Sequence, residues 1–283
     1  MTPIKTIGVV GSGTMGNGIA HVCARAGYAV ILVDVNPEAL DRAMATISQN
    51  LDREVAKNKL SKSDKSAAFS RILAATEIQT LQKADFIIEA IIEEFNSKLK
   101  VLNDIDAIVR PEVILASNTS SISITRMASG TQRPDRMIGM HFMNPVPVMT
   151  LVEVVRGRAT SSETCQATME LAKSLGKTPV EVNDSPGFVS NRVLMPMINE
   201  AIYCVMEGVG SPEAVDSIMK LGMNHPIGPL ALADLIGLDV CLSILEVLES
   251  GLGDPKYQAC PLLRRMVNEG QLGRKSGQGF YKY

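Results

Sequence analysis

A histidine and a glutamate in neighbouring apolar segments are the side chains of this sequence best suited to move a proton. His141 ends the apolar run 136–140, a loop with two prolines follows, and Glu153 lies inside a second apolar run, 151–155. An ionised carboxylate in an apolar strand is costly unless a partner pairs with it, and histidine exchanges protons near neutral pH. Taken alone, the two residues are more simply explained as a packed histidine and a solvent-facing glutamate. Their interpretation therefore depends on the elements that position them.

Composition limits the class of protein. A chain of 283 residues with a net charge of -2 predicts two globular domains and gives no sign of a nucleic-acid partner. The absence of tryptophan and the low aromatic content also argue against a single-stranded nucleic-acid platform. We find no secretion signal and no apolar run long enough for a membrane span. The five scattered cysteines lack a CxxC pair, which favours reduced thiols in a cytoplasmic protein over a metal site or disulfides.

A glycine motif near the start of the chain gives the first specific signal. A predicted strand, 5–10, is followed by GSGTMG and then by a predicted helix, 17–26. In this context the glycines permit a tight turn, close approach of backbone N–H groups to a pyrophosphate, and packing of the helix on the strand. The predicted cofactor-binding residues of this loop are Gly11, Ser12, Gly13, Thr14, Met15 and Gly16.

The second predicted strand, 29–33, ends at a carboxylate that indicates which dinucleotide is bound. Asp34 stands where an acid accepts hydrogen bonds from the hydroxyls of an adenosine ribose. Because a carboxylate repels a 2′-phosphate, the sequence predicts NAD and not NADP. His21, on the first helix, is interpreted as a packing or surface residue.

A helical hairpin is predicted at about 37–73, where a minimal dinucleotide fold needs a single crossover helix. Apolar residues recur at three- or four-residue spacing from Pro37 for about 20 residues, and a shorter helix is predicted to run from 61 to 72. The tip is basic, with Lys57 and Lys59 among its cations. A solvated helix face is the simpler explanation; the alternative is an arm that contacts an anionic part of a substrate.

The rest of the chain predicts an α/β Rossmann-type dinucleotide-binding domain, 1–185, with the inserted hairpin, followed by an all-α C-terminal domain, 186–283. Polar residues such as the SNTSS segment (117–121) follow buried strands, at the sheet edge where ligands bind. Predicted strands lie at 86–93, 113–116, 137–140, 151–155 and 178–182, and predicted helices at 94–109, 122–128 and 163–175. Beyond residue 188 we predict helices at 191–208, 212–221, 228–248 and 261–269, and a last strand at 279–281.

Five motifs in this order resemble the L-3-hydroxyacyl-CoA dehydrogenase family, in particular its short, single-function 3-hydroxybutyryl-CoA dehydrogenases. They are GVVGSGTMGNGIA, SNTSS, HFMNPVPVMTLVEVV, DSPGFVSNR and NHPIGPLALADLIGLD, and the closing GRKSGQGFYKY belongs with them. The resemblance covers the whole chain. It implies NAD-dependent interconversion of a 3-hydroxyacyl-CoA, such as (S)-3-hydroxybutyryl-CoA, and its 3-ketoacyl-CoA, such as acetoacetyl-CoA.

The resemblance also implies roles for individual residues. His141 matches the catalytic histidine and Glu153 the acid that orients it, and Ser120 and Asn191 match residues around the substrate's 3-oxygen. Besides the glycine loop, the positions that match residues lining NAD are Asp34, Glu93, Lys98, Ser120, Asn144 and Lys275. Lys57 and Lys59 correspond loosely to the arm that contacts coenzyme A. Met143 departs from the family pattern, which often has phenylalanine, and this should alter packing more than chemistry.

Two other functions stay open at this point. A sister enzyme on the same scaffold could oxidise a sugar acid, and a crystallin-like relative could keep the fold without catalysis; the intact His141, Glu153, Ser120 and Asn191 favour an enzyme. His225, in a loop rich in proline and glycine, is interpreted as a turn or interdomain residue. The apolar faces of the C-terminal helices predict a homodimer through that domain.

Overall fold

The structure, a computed structural model, describes residues 3–283. The chain divides into two compact units, Met1–Asp184 and Ser185–Tyr283. The predicted fold class is confirmed: the first unit is a Rossmann-type α/β domain and the second is helical. None of the helices in residues 3–283 combines the length and the apolar character that crossing a membrane requires.

The first unit is built on one sheet with the strand order β3-β2-β1-β4-β5-β6-β7-β8. Neighbouring strands are parallel except β6 and β7, which are antiparallel. The strands are β1 Thr6–Val10, β2 Ala29–Val33, β3 Ile72–Ala75, β4 Phe86–Glu89, β5 Ile114–Ser117, β6 Met137–Phe142, β7 Leu151–Arg156 and β8 Thr178–Asn183. The helices are α1 Thr14–Arg25, α2 Pro37–Ala56, α3 Lys62–Ser70, α4 Phe95–Asp106, α5 Ile124–Ala128 and α6 Ser162–Ser174.

Side-chain caps fix where the inserted hairpin begins and turns. The side chain of Asn36 accepts hydrogen bonds from the first amides of α2, with Pro37 at the first helical position, and Ser61 caps α3 in the same way. One stripe of α2 (Leu40, Ala43, Ile47 and Leu51) is buried in the same core as β1 and β2. The hairpin therefore packs on the first unit along one face and leaves its polar face to solvent.

Three strand boundaries differ from the sequence prediction. Residues 72–75 form β3 at the sheet edge and do not extend the helix, because their backbone pairs with β2 and buries Ile72. β4 ends at Glu89 instead of residue 93, and Ile92 beyond it is exposed. β6 runs on through His141 to Phe142, since these residues pair with β7.

The second unit consists of α7 Ser190–Met206, α8 Pro212–Gly222, α9 Pro229–Ile236, α10 Leu238–Leu252 and α11 Pro261–Asn268. Gly237, at φ +106°, divides the helix predicted at 228–248 into α9 and α10, because this backbone conformation interrupts a right-handed helix. The strand predicted at 279–281 is wrong: only isolated bridges form around it. The amides of Phe280 and Tyr281 instead donate to the buried carboxylate of Asp234.

Candidate active site

The antiparallel pairing of β6 and β7 brings His141 and Glu153 together. The two residues are direct partners in the register, so their side chains lie on the same face of the sheet. His141 Nδ1 lies 2.9 Å from Glu153 Oε2, and both residues are buried. An ionised carboxylate only accepts hydrogen bonds, so the proton of the neutral imidazole resides on Nδ1 and the basic lone pair on Nε2. This arrangement prepares His141 for proton transfer.

Two polar side chains that sequence reasoning did not select hold this strand pair and its loop. The backbone N–H of Phe142 donates to Asn118 Oδ1 at 2.9 Å, which fixes the residue after His141. Lys177 Nζ donates to the carbonyls of Val146 and Met149, at 2.5 and 2.8 Å, in the loop that carries Asn144. The polar SNTSS segment was the available signal for Asn118; nothing near Lys177 in the sequence pointed to its role.

The glycine loop fits a bound pyrophosphate. Gly11 has φ +95°, and a Cβ on Gly16 would lie 1.7 Å from the Gly11 carbonyl oxygen, so neither position accommodates a side chain. A Cβ on Gly13 would meet no atom within 4 Å, which leaves open space in front of the loop. α1 begins beside this space and has no side-chain cap at its N-terminus, so its dipole and amides favour an anion there.

Alanine at Gly13 and at Gly16 should therefore have different effects. Gly13→Ala should fold with an unchanged melting temperature but raise the Kd for NADH about tenfold or more, because the methyl group occupies the space for the pyrophosphate. Gly16→Ala should also lower the free energy of unfolding by about 2 kcal/mol or more, since the backbone must move. Thermal unfolding and NADH fluorescence titration measure both effects. Unchanged NADH affinity in Gly13→Ala would contradict the proposed position of the pyrophosphate.

Asp34 lies at the carboxyl end of β2, beside the glycine loop. One carboxylate oxygen accepts hydrogen bonds from the amide and the hydroxyl of Ser12, both at 2.8 Å, and the other accepts from the Asn36 amide at 3.0 Å. Burial alone would raise the pKa of Asp34, but these hydrogen bonds outweigh it and lower the pKa.

Val35 and Ile92, which follow β2 and β4, are 90% and 71% exposed. These two side chains, which sequence reasoning missed, offer apolar surface to a planar base.

The Glu93 carboxylate accepts hydrogen bonds from the residues that follow β5. Its Oε1 accepts from the Thr119 hydroxyl at 2.5 Å, the Ser120 amide at 2.8 Å and the Ser121 amide at 3.1 Å. Its Oε2 lies 3.3 Å from the ammonium of Lys98. Burial would raise the pKa of Glu93, but the charge of Lys98 and the hydrogen bonds lower it. The structure thus brings Glu93, Lys98 and Ser120 together, and their role in lining the cofactor stays a prediction.

Comparison with known proteins decides the family. The family model of the NAD-binding domain of 3-hydroxyacyl-CoA dehydrogenase matches residues 6–185, and the model of the C-terminal domain of the same enzymes matches residues 187–283. The chain belongs to the 3-hydroxyacyl-CoA dehydrogenase family. It is therefore an NAD-dependent oxidoreductase, as its sequence predicted.

Individual relatives cover the whole length of this dehydrogenase. The chain is 58% identical to a probable 3-hydroxybutyryl-CoA dehydrogenase of Bacillus subtilis over 99% of this chain and 98% of the relative. It is 53% identical to the 3-hydroxybutyryl-CoA dehydrogenase of Bradyrhizobium diazoefficiens, over 99% and 96%. The crystal structure of the (S)-3-hydroxybutyryl-CoA dehydrogenase from Ralstonia eutropha matches with a TM-score of 0.97 at 54% identity, over 99% of both chains. These relatives favour neither a sugar-acid dehydrogenase nor a crystallin-like protein.

The other predicted site residues of the dehydrogenase belong to several elements of the two units. Lys57 and Lys59 are exposed at the end of α2, and Asn144 is exposed in the loop after β6. Asn191 and Lys275 belong to the second unit, where Lys275 forms an ion pair with Asp239. Their roles at the site stay predictions.

The other two histidines differ from each other, since His21 also pairs with a carboxylate whereas the hydrogen bond described for His225 is made by its backbone. His21 is buried in α1, with Nε2 3.1 Å from Glu54 Oε1 on α2. Burial lowers the pKa of His21, and the Glu54 carboxylate only partly offsets this effect. His225 follows α8, and its amide donates to the Met219 carbonyl.

Proposed function

We propose that this dehydrogenase interconverts (S)-3-hydroxybutyryl-CoA and acetoacetyl-CoA with NAD as the hydride carrier. The observation that carries the proposal is the buried His141–Glu153 pair, on the sheet that also carries the glycine loop and Asp34 at its carboxyl edge. The choice of substrate rests on the relatives, which are named 3-hydroxybutyryl-CoA dehydrogenases. The similarity to this chain extends over nearly their whole length.

In the oxidative direction, His141 Nε2 accepts the proton of the substrate's 3-hydroxyl group as the C3 hydrogen leaves as hydride. NAD+, when bound, supplies the acceptor for that hydride. Glu153 accepts from Nδ1–H, which fixes the ring orientation and the tautomer and stabilises the imidazolium that forms. In the reductive direction, the imidazolium of His141 returns the proton to the developing alkoxide of the 3-ketoacyl-CoA.

Ser120 is proposed to supply a further hydrogen bond at the oxygen where charge develops. Its amide donates to Glu93 Oε1 at 2.8 Å and its hydroxyl donates to the same oxygen at 3.2 Å, so the hydroxyl must turn away from Glu93 to donate to the substrate. A preorganised donor of this kind stabilises an alkoxide by a few kcal/mol. Asn191 carries the same predicted role, and Lys275 a predicted role near the cofactor.

The test is the oxidation of NADH by the purified enzyme with acetoacetyl-CoA, followed by loss of NADH absorbance. We expect acetoacetyl-CoA to be reduced, and NADPH to be a poorer cofactor by about tenfold or more because Asp34 repels a 2′-phosphate. Longer 3-ketoacyl-CoAs in the same assay define the chain-length range. Activity with a keto sugar acid but none with acetoacetyl-CoA would overturn the proposal.

The basic end of α2 is the proposed contact for the coenzyme A portion of the substrate. Lys57 and Lys59 are exposed there and no described carboxylate forms an ion pair with either, so both ammonium groups are available to phosphate oxygens. Salt should therefore raise the KM for acetoacetyl-CoA more than the KM for NADH.

We further propose that the enzyme is a homodimer formed through its helical unit. α8 ends in an exposed apolar group that includes Ile218, Leu221 and Met223, with Leu221 87% exposed. An apolar group of this kind on a helix end is typical of a surface that a partner covers.

Light scattering at micromolar concentration should give twice the chain mass of 30.4 kDa. Leu221→Glu should shift the mass toward that of a single chain, because a charge would be buried in the interface. Lys173→Glu, an exposed position on α6 in the first unit, is the matched control and should leave the mass unchanged. A monomeric mass for the unmodified enzyme would contradict the proposal.

A further inference from the structure

A buried ion pair beneath the cofactor edge of the sheet is not used by the mechanism above. Glu89, the last residue of β4, is 0% exposed, and Lys98 on α4 is 1% exposed. Lys98 Nζ donates to Glu89 Oε1 at 2.7 Å and to the Ile91 carbonyl at 3.3 Å, and it lies 3.3 Å from Glu93 Oε2. These three oxygen atoms surround the ammonium group of Lys98, which is 1% exposed, whereas the Glu93 side chain is 37% exposed and is the member of the group open to a ligand.

The Glu89 carboxylate is surrounded by donors. Its Oε1 accepts from Lys98 and from the Ile91 amide at 2.7 Å, and its Oε2 accepts from the Ser117 hydroxyl at 2.5 Å. Because both oxygens accept and the ammonium group adjoins them, the group is a carboxylate. Glu89, Lys98 and Glu93 then carry two negative charges and one positive charge. The cluster is negative by one unit, with Glu93 at its exposed end.

The strand register places this cluster between the glycine loop and His141. Glu89 pairs with Ser117 on β5, and Ser117 pairs with Gly139 on β6, two residues before His141. Strands lie about 4.8 Å apart, so the path from β1 to β6 crosses the ends of β4 and β5. If the proposed function holds, the cofactor follows this path, because its phosphates lie at the glycine loop and its reactive ring lies beside His141.

We propose that Glu89 is a positioning residue that, through Lys98, fixes the Glu93 carboxylate and keeps this cluster negative. The negative cluster strengthens the binding of NAD+ relative to that of NADH, and so lowers the ratio of the Kd for NAD+ to the Kd for NADH. The nicotinamide ring carries a positive charge in NAD+ and none in NADH. A fixed negative charge near the ring therefore stabilises the oxidised form selectively, while the contacts of the shared adenosine and phosphate groups cancel from the comparison. Without Glu89, the charge of Lys98 would neutralise Glu93.

The experiment measures the ratio of Kd for NAD+ to Kd for NADH, by NADH fluorescence titration and by displacement of NADH with NAD+. Glu89→Gln keeps the shape of the side chain and makes the cluster neutral, and we expect the ratio to rise about three- to tenfold. The double variant Glu89→Gln/Lys98→Met removes both charges of the buried pair and restores the charge of -1. Its ratio should return to within about twofold of the unmodified enzyme. Glu163→Gln, an exposed carboxylate on α6, is the control for the substitution itself.

The double variant separates charge from structure, because it disrupts the hydrogen bonds more than the single variant does. An unchanged ratio in Glu89→Gln, or an equal shift in the single and double variants, overturns the proposal. Should Glu89→Gln not fold, Glu93→Gln removes the same charge at the exposed end of the cluster and must raise the same ratio. Failure of the unmodified enzyme to oxidise NADH with acetoacetyl-CoA would instead overturn the proposed function, so the two failures are distinguishable.

Discussion

Replacing His141 with glutamine should lower kcat by about two or more orders of magnitude and leave NADH binding nearly unchanged. Glutamine fills a similar volume and can still hydrogen-bond to Glu153, but it cannot accept a proton from the substrate near neutral pH. The loss should therefore affect the chemical step in both directions. Steady-state reduction of acetoacetyl-CoA gives kcat, and NADH fluorescence titration gives the Kd of the cofactor.

His225→Gln is the matched control, because the substitution is the same and His225 has no described carboxylate partner. It should retain nearly full activity. Near-normal turnover in His141→Gln would sink the assignment of the general base. A loss in His225→Gln as large as that in His141→Gln would move the assignment to the second unit.

Glu153→Gln should have the next largest effect, a loss of about 100-fold or more in kcat. The amide can present an N–H group to Nδ1, which stabilises the wrong tautomer and places the proton on Nε2, where the substrate's hydroxyl must be deprotonated. The amide also removes the negative charge that stabilises the imidazolium. A pH profile of kcat for the two enzymes, with acetoacetyl-CoA and with 3-hydroxybutyryl-CoA, measures both effects.

Glu181→Gln on the adjacent strand β8 is the control, since this exposed carboxylate forms an ion pair with the partly exposed Arg156 at 3.1 Å, away from His141. An exposed ion pair contributes little to stability, so this variant should behave like the unmodified enzyme. Unaltered activity of Glu153→Gln across the pH profile would mean that the hydrogen bond at 2.9 Å has no part in catalysis.

The features that the sequence predicted are those whose causes are local. Glycines between a strand and a helix specify one kind of turn, and the carboxylate after the second strand lies at a fixed offset from it. Periodic apolar residues indicated the helices, and serine or asparagine residues at their N-termini marked where several of them begin. The fold class and the cofactor followed from these signals because each signal depends on a short stretch of chain, and the family followed from the resemblance of five motifs in order.

Features that depend on pairing between distant segments were predicted less well. The edge strand β3 was not predicted and the helix before it was extended to residue 72, because a short apolar run fits both structures and only the neighbouring β2 decides between them. A single backbone angle at Gly237 divided one predicted helix into two. The role proposed for Glu89 could not be predicted for the same reason. The contacts of this carboxylate with Lys98 and Ser117 form only when the chain is folded.

Local sequence patterns identified a dinucleotide loop, a carboxylate after the second strand that predicts NAD, and a histidine and a glutamate in successive apolar segments. Whether those two side chains meet was decided only by the tertiary structure. The loop between β6 and β7 reverses the chain, and the antiparallel register then makes His141 and Glu153 direct partners. A shift of one residue in that register would turn one side chain to the opposite face of the sheet. Register is a property of two paired strands, and it brings a histidine and a buried carboxylate, neither of which indicates catalysis alone, into a pair that can transfer a proton.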